Sequence, residues 1–174
     1  MALTHDTVLS ALQQQFAAAI THTETPSEGS IATDQLTLTI ERSQIIAALQ
    51  YLKTHPEFQF NFLTDLCGVH YPDNAPAQEF AVVYHLHSWV HNYRLRLKTY
   101  CSRKDCSVPS AVPVFSSANW QERETFDFYG IQFAGHPDLR RILNVDEMDF
   151  FPLRKEYPLE EQTRTDKNDK MFGR

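Results

Sequence analysis

Two neighbouring segments that alternate between apolar and polar residues constrain the fold of this chain most strongly. The first is EFAVVYHLHSW, the second is YRLRLKTYC, and a short polar turn near His91 and Asn92 separates them. Because successive side chains of a strand point to opposite faces, the pattern predicts an antiparallel hairpin with one buried face. The residues predicted to face inward are Phe80, Val82, Tyr84, Leu86, Tyr93, Leu95 and Leu97, and those predicted to face outward are Arg94, Arg96 and Lys98.

The first 41 residues predict a helix, a loop and a strand. An apolar residue recurs every fourth position from Val8 to Ile20, which predicts an amphipathic helix over 5–20. Residues 21–30 contain Pro26 and Gly29 and predict a loop. The segment DQLTLTIE alternates leucine or isoleucine with threonine, which is typical of a half-buried strand.

The next elements lead into the hairpin. Ser43 is the expected cap of a helix over 43–55, and Pro56 lies just past its end. The alternation of Phe58, Phe60 and Phe62 with polar residues predicts a strand. The order α-β-α-β-β-β indicates an α+β fold, a two-layer domain whose mostly antiparallel mixed sheet carries its helices on one face.

Composition and charge exclude several classes of protein. The chain has 174 residues and a net charge of −6, so general nucleic-acid binding is not expected. No apolar run approaches the roughly 18 residues that span a bilayer, so we expect membrane contact only through a partner. The N-terminus has neither a secretory signal nor the features of a transit peptide. Three cysteines without a CxxC motif favour a reducing cytoplasm.

The segment ERETFDFYGIQFAGHPDLRRIL, residues 122–143, combines acids, arginines and aromatic rings. Asn119 and Glu122 have the spacing of a capping box, which predicts a helix that ends at Tyr129 with Gly130 as its stop. Its aromatic residues fall on several sides of this helix. A helix that is apolar on all sides is buried on all sides, and a small domain covers only one of them. The pattern therefore favours an interface with another protein.

Residues 144–174 lack a steady period and form the predicted extended C-terminal arm, so we place the domain at 1–143. Such a segment would be disordered alone. The aromatic residues in it, Phe150, Phe151, Tyr157 and Phe172, indicate instead that it lies along another surface.

Two catalytic alternatives are weaker. His85, His87, His91, Cys101 and Cys106 are candidate metal ligands, but the hairpin places the first two histidines among cationic residues and Cys101 on the apolar face.

Glu124 and Asp127 lie on one side of the predicted helix and are candidates for acid–base catalysis. Arg123 is expected to reach Asp127 four residues later, which favours a structural ion pair. The sequence contains no P-loop, nucleophile elbow or GxGxxG motif. The pairs Arg140–Arg141 and Arg154–Lys155 are too short to predict a nucleic-acid site.

The segment WQERETFDFYGIQFAGHPDLRRIL, followed by FPLRKEYPL, closely resembles the signature of the C-type subunits of proton-pumping NADH:quinone oxidoreductase, respiratory complex I. The signature covers residues 120–159, and the upstream order of elements is also similar. Within it, NVDEMDFF departs from the usual family segment. Because no D-type sequence follows Arg174, we expect the separate form of the protein and not a C–D fusion.

The resemblance implies a component of an NADH:quinone oxidoreductase, a translocase, with no active site in this chain. It implies a non-catalytic scaffold in the hydrophilic arm, peripheral on the cytoplasmic side of the cell membrane. The expected partners are the D-type subunit, which reduces quinone, and the cluster-bearing subunits. FMN and iron–sulfur clusters belong to partner subunits, and no cofactor or metal is expected here.

The resemblance also assigns the residues of a partner interface. They are Glu122, Arg123, Glu124, Asp127, Gly130, Gly135, His136, Pro137, Asp138, Arg140, Arg141, Pro152, Leu153, Arg154 and Lys155. Related modules occur in complexes fed by ferredoxin or coenzyme F420 and in membrane-bound hydrogenases, so these assemblies remain alternatives. A free-standing hydrolase or metal enzyme is the remaining alternative.

Overall fold

The computed structural model describes residues 3–25 and 35–157. Its elements in chain order are α1 (His5–Phe16), β1 (Ile20–Glu24), β2 (Leu36–Ile40), α2 (Ile45–Thr54), β3 (Phe62–His70), a 3₁₀ turn (Pro76–Gln78), β4 (Phe80–Ser88), β5 (Tyr93–Cys101), β6 (Ser107–Pro109), α3 (Ala118–Tyr129) and β7 (Gln132–Ala134).

Five strands form one sheet in the order β1-β2-β5-β4-β3. The β2–β5 pair is parallel and the other three pairs are antiparallel. Strands β6 and β7 form a separate parallel pair. The predicted α+β class with a mostly antiparallel mixed sheet is confirmed.

The core lies on one face of the sheet. Phe80, Val82, Tyr84 and Leu86 of β4 are buried in the same cluster as apolar residues of α1 and α2. Burial of such side chains is the main favourable term in folding. The opposite face of β4 and β5 carries pairs such as His85 opposite Arg96. The predicted hairpin is thus confirmed, including its turn, where Asn92 has a positive φ of 47°.

The prediction of a helix over 5–20 is wrong at its end. Helix α1 ends at Phe16, and Ile20 begins β1, which pairs with Ile40 of β2. The four-residue spacing of Ile20 is therefore a coincidence of periodicity. Cross-strand pairing with β2 determines the structure here, because β-branched isoleucine and threonine suit a strand. The prediction of a loop over 21–30 is also wrong for residues 21–24, which are in β1, and residues 26–30 lie outside the described residues.

The predicted strand on Phe58, Phe60 and Phe62 is also largely wrong. Phe58 and Phe60 are buried, but they lie in the turn after α2, where Gln59 has a positive φ of 46°. The backbone N–H of Phe60 donates to the carbonyl of Leu52. Strand β3 begins at Phe62, which is exposed, so only Phe58 and Phe60 fill the core, and they do so from a turn and not from a strand.

Helix α2 begins after Gln44 instead of Ser43 and ends before Pro56, as predicted for its end. Among the described residues, no helix is both long and apolar enough to cross a membrane.

The first part of the predicted arm lies on the chain's own domain. The backbone N–H of Leu153 donates to the carbonyl of Phe128, and that of Lys155 donates to Nδ1 of His70. Residues 144–157 therefore belong to the folded unit. The rest of the predicted arm, residues 158–174, lies outside the described residues.

Candidate partner interface around helix α3

Helix α3 contains the first part of the charged motif and packs against β3, the edge strand of the sheet. Its start differs from the prediction, because the helix begins after Ser117 and Asn119 lies within it. Asn119 and Glu122 therefore do not form a capping box. The end is as predicted, since Gly130 terminates the helix with a positive φ of 74°.

Glu122 is buried and holds the loop before α3. Its Oε1 accepts the backbone N–H of Ala111 at 2.6 Å, and its Oε2 accepts the hydroxyl of Ser110 at 2.7 Å. Burial raises the pKa of Glu122 to about 7, and these two hydrogen bonds only partly oppose the increase. The carboxyl group thus stabilises the fold of its own chain.

Asp127 is also fully buried and organises the segment after β7. Its Oδ2 accepts the backbone N–H groups of Ile142, Leu143 and Asn144 at 3.1, 2.8 and 3.0 Å. Its Oδ1 accepts hydrogen bonds from the side-chain amide of Asn144 at 3.0 Å and from the guanidinium of Arg141 at 2.7 Å. Burial alone would raise the pKa of Asp127, but the hydrogen bonds from Asn144, Leu143 and Arg141 outweigh it and hold the pKa far below its usual range.

Arg141 extends this network toward the C-terminal segment. Its Nη2 donates to the carbonyls of Met148 at 2.8 Å and Phe150 at 3.0 Å. Its guanidinium lies 5.1 Å from the ring centroid of Phe151. With Asp127 it forms an ion pair whose side chains are 10% and 0% exposed. Arg141 thus fastens residues 148–151 to the helix.

The prediction that Arg123 pairs with Asp127 is wrong. Arg123 donates instead to the backbone carbonyls of Arg140 at 3.2 Å and Arg141 at 3.4 Å. Its guanidinium also lies 5.0 Å from the ring centroid of Trp120. Arg123 is replaced as the partner of Asp127 because Arg141 reaches the carboxylate from a distant part of the chain.

Gly130 and Arg154 fix the C-terminal segment where it crosses the end of α3. A Cβ at Gly130 would lie 2.5 Å from Cε2 of Phe151. Arg154 donates to the carbonyl of Tyr129 at 2.8 Å and lies between the rings of Phe80 and Phe151, at 5.1 and 4.6 Å. The glycine is required here both by its positive φ and by the close approach of the ring.

A second cluster, unforeseen in the sequence, binds the same segment to the sheet. The Nδ1 of His70 accepts the N–H of Lys155, and its Nε2 faces Glu79 at 3.3 Å. Arg103 bridges Glu79 and Glu156 at 2.7 Å each. Hydrogen bonding from Arg103 lowers the pKa of both Glu79 and Glu156. These residues are far apart in sequence, so no local spacing indicates their association.

The turn at 135–140 presents exposed charges. His136 is held by Nε2, which donates to the carbonyl of Asn119 at 3.1 Å, and by Nδ1, which accepts the N–H of Asp138 at 3.0 Å. Asp138 pairs with Arg140 at the surface, where both side chains are more than half exposed.

The apolar surface of the molecule is concentrated around this motif. Nine large apolar side chains of the described residues are exposed, and six of them lie between 120 and 157. These six are Trp120, Leu143, Val145, Phe150, Leu153 and Tyr157. Pro137 and Glu124 are also exposed, whereas Gly130 is buried and Pro152 is partly buried. Exposed apolar and aromatic side chains in this number favour a protein–protein contact.

The two catalytic alternatives find little support in the geometry. Asp127 is saturated with hydrogen bonds while Glu124 is exposed, so the two do not form a paired acid–base site. The predicted His and Cys metal ligands are divided, since Cys101 is in the core and 3.3 Å from Cys106, while His85 is on the open face of the sheet.

The fold is shared with two solved structures. A structure described as a trypsin-resistant fragment of Nqo5 aligns with a TM-score of 0.59 and 31% identity, covering 76% of this chain and 99% of the other. An archaeal membrane-bound sulfane sulfur reductase aligns with a TM-score of 0.69 over 88% of this chain and 85% of the other, and at 20% identity it shows the fold alone. The chain therefore shares its fold with both of these proteins.

Residues 38–163 match the model of the family described as "Respiratory-chain NADH dehydrogenase, 30 Kd subunit", and the chain belongs to this family. It is 46% identical over 151 residues to the C subunit of NADH-quinone oxidoreductase from Methylorubrum extorquens (strain PA1), covering 87% of this chain and 67% of that protein. The protein of the same name from Caulobacter sp. (strain K31) is 48% identical over 130 residues, which are 75% of this chain and 59% of that protein. The resemblance predicted from the motif is confirmed.

Proposed function

We propose that this chain is a non-catalytic assembly subunit in the hydrophilic arm of a membrane-bound NADH:quinone oxidoreductase. The proposal rests on one observation: the buried ionisable groups of the motif bind other parts of their own chain. Glu122 is occupied by Ser110 and by the backbone of Ala111, whereas Asp127 and Arg141 are occupied by backbone groups and by each other. Six of the nine exposed large apolar side chains of the described residues lie in the same stretch of chain, 120–157. Buried polar groups whose hydrogen bonds are satisfied inside a chain serve its structure, and exposed aromatic groups serve contact.

In this proposal the chemistry belongs to the assembly. Partner subunits hold FMN and the iron–sulfur clusters, take electrons from NADH and pass them to quinone, and the whole complex couples this transfer to proton translocation. The chain contacts the quinone-reducing D-type subunit and the cluster-bearing subunits. It reaches the membrane on the cytoplasmic side only through them. The names of its relatives support this assignment.

The fifteen predicted interface residues then divide into two roles. The buried members hold the surface in shape, as Asp127 does by fixing the loop at 142–144. The exposed members, among them Glu124, Pro137, Asp138, Arg140, Leu153 and Lys155, are the ones that contact a partner.

The proposal is tested by co-purification from solubilised membranes. Three tagged chains are compared: the full chain, one ending at Tyr157 and one ending at Leu143. The second keeps every contact of residues 144–157 with the domain, and the third removes them.

We expect the full chain to recover iron–sulfur subunits together with the flavin-carrying NADH-binding subunits. The chain ending at Leu143 is expected to lose both stability and partners. The chain ending at Tyr157 is expected to fold and to bind its partners more weakly, because we expect residues 158–174 to contribute contacts with a partner. Recovery of a lone monomer in all three samples contradicts the proposal. Recovery of the cluster subunits without the NADH-binding subunits favours a different electron donor.

A further inference from the structure

The open face of the sheet brings together three side chains that metals bind in proteins. Asp65 of β3 lies directly opposite His85 of β4 in the strand register. Cys67 is two residues beyond Asp65, so its side chain points to the same face. The oxygen, sulfur and nitrogen donors of these three residues all lie within 4.8 Å of one another. Among residues 3–25 and 35–157 this is the one group of three His, Cys, Asp or Glu residues in such an arrangement.

The geometry points to a binding site for a divalent transition-metal ion, with Zn²⁺ as the best fit, formed by Asp65, Cys67 and His85. Thiolate, imidazole and carboxylate are the ligands that Zn²⁺ takes, at bonds of about 2.0–2.3 Å. A tetrahedral ion with such bonds separates its ligand atoms by about 3.5 Å. The donors therefore need to approach by little more than about 1 Å, which side-chain rotation provides. Ca²⁺ and Mg²⁺ are disfavoured because they require oxygen ligands.

The surroundings supply both room and charge for the ion. Asp65 and Cys67 line a cavity of about 250 Å³ at the edge of β3, and Glu124 of α3 lines the same cavity. Asp65 is exposed and the other two ligands are half-buried, so the site is open to solvent. Arg96, opposite His85 on β5, places one positive charge on the far side of the histidine. Asp65 and Glu124 together offer more negative charge than Arg96 opposes.

Binding of Zn²⁺ at this site is a ligand exchange. The Cys67 thiol releases its proton to solvent as its sulfur bonds to Zn²⁺, and Asp65 and His85 bind as carboxylate and neutral imidazole. The ion gives up all of its waters but one, and that water keeps the fourth position. Three protein ligands with one open position make an exchangeable site.

The sequence does not indicate this site, because the alternation of Phe58, Phe60 and Phe62 predicts a strand over the wrong residues. Without β3 beside β4, His85 has only the cationic side chains of β5 as neighbours. The structure provides the missing carboxylate from the other side of the strand.

The test is a zinc titration of the purified full chain in the absence of chelator, followed by Co²⁺ substitution. A thiolate-to-cobalt charge-transfer absorption reports directly on Cys67. The variants are Cys67→Ser, Asp65→Asn and His85→Gln. Two variants serve as controls. Cys106→Ser removes the cysteine that lies beside Cys101. His87→Gln removes another histidine of β4, the one that pairs with Arg94. Thermal unfolding with chelator present checks that each variant is folded.

We expect one Zn²⁺ per chain and a loss of at least about tenfold in affinity for each of the three ligand variants, since even removal of a group that only supports a ligand costs 10–100-fold. The charge-transfer band disappears in Cys67→Ser and stays in both controls. If Cys67→Ser fails to fold, Asp65→Asn decides, because Asp65 is exposed. The proposal is overturned if the wild type binds Zn²⁺ no more tightly than the ligand variants do. It is also overturned if Cys106→Ser abolishes binding and Cys67→Ser retains it.

Discussion

Replacement of Asp127 by alanine is expected to destabilise the domain by about 3–5 kcal/mol. The change removes one partner of a buried ion pair, whose loss typically has this magnitude because the other charge is left uncompensated. It also leaves the N–H groups of residues 142–144 without their acceptor. Against a total stability of about 5–15 kcal/mol, the loss leaves a domain that folds but is marginal.

The expected loss is measured by urea unfolding of the full chain, with Glu124→Ala as the matched control. Glu124 lies one turn earlier on α3 and is exposed, so its removal should change the free energy of unfolding by less than about 0.5 kcal/mol. Limited proteolysis should cut the Asp127→Ala chain within 141–150 faster than the wild type. If Asp127→Ala is as stable as Glu124→Ala, the network does not hold the segment and the reasoning is refuted.

The same network predicts a dependence on pH. The pKa of Asp127 is lowered in the folded chain, so its contribution is fully present above the ordinary aspartate pKa of about 3.9 and is lost as the pH falls below it. The difference in unfolding free energy between the wild type and Asp127→Asn should therefore be constant near neutrality and shrink below about pH 4. A difference that stays constant into acid would contradict the role of the charge.

Two further predictions concern Glu122 and the glycines. The pKa of Glu122 is raised to about 7, so the fold favours its neutral form, and the free energy of unfolding should fall as the pH rises from about 4.3 through 7. Glu122→Gln should remove this dependence on pH while keeping a bond to Ser110. Equal slopes for the wild type and Glu122→Gln in urea unfolding would contradict this. Gly130→Ala should destabilise the domain by about 1–3 kcal/mol more than Gly135→Ala does. Both glycines have a positive φ, but only at Gly130 would a Cβ collide with a neighbour, Phe151. Equal melting temperatures of the two variants would refute this.

The part of the fold that the sequence predicts well is the part with a strictly local signal. The β4–β5 hairpin follows from alternation alone, and Gly130 follows from its place after a helix. Strand β3 escapes prediction because its alternation is weak: Cys67 and Gly68 break it, and Gly68 is small so that Tyr129 and Thr125 can pack against it.

The sequence indicates residues for the candidate site but not the contacts that they make. Spacing along a helix suggests Arg123 as the partner of Asp127, yet the partner is Arg141, which reaches it only after the chain turns at Gly135. Contacts of this kind depend on the path of the chain, and local patterns do not contain that path. For the same reason, the spacing of buried Glu122 suggests a cap that does not form, and nothing local predicts the cluster around His70.

The central claim, an assembly role without catalysis, is tested most directly by electron-transfer rate per assembled complex. Trp120→Ala removes an apolar ring that is 64% exposed, and Trp120→Phe keeps an apolar ring there as a control. Complex content in membranes is measured by native gel, and NADH:quinone activity is divided by that content. The account predicts that Trp120→Ala lowers complex content and leaves activity per complex unchanged, with Trp120→Phe closer to wild type. Normal complex content with a selectively slower rate per complex would contradict it.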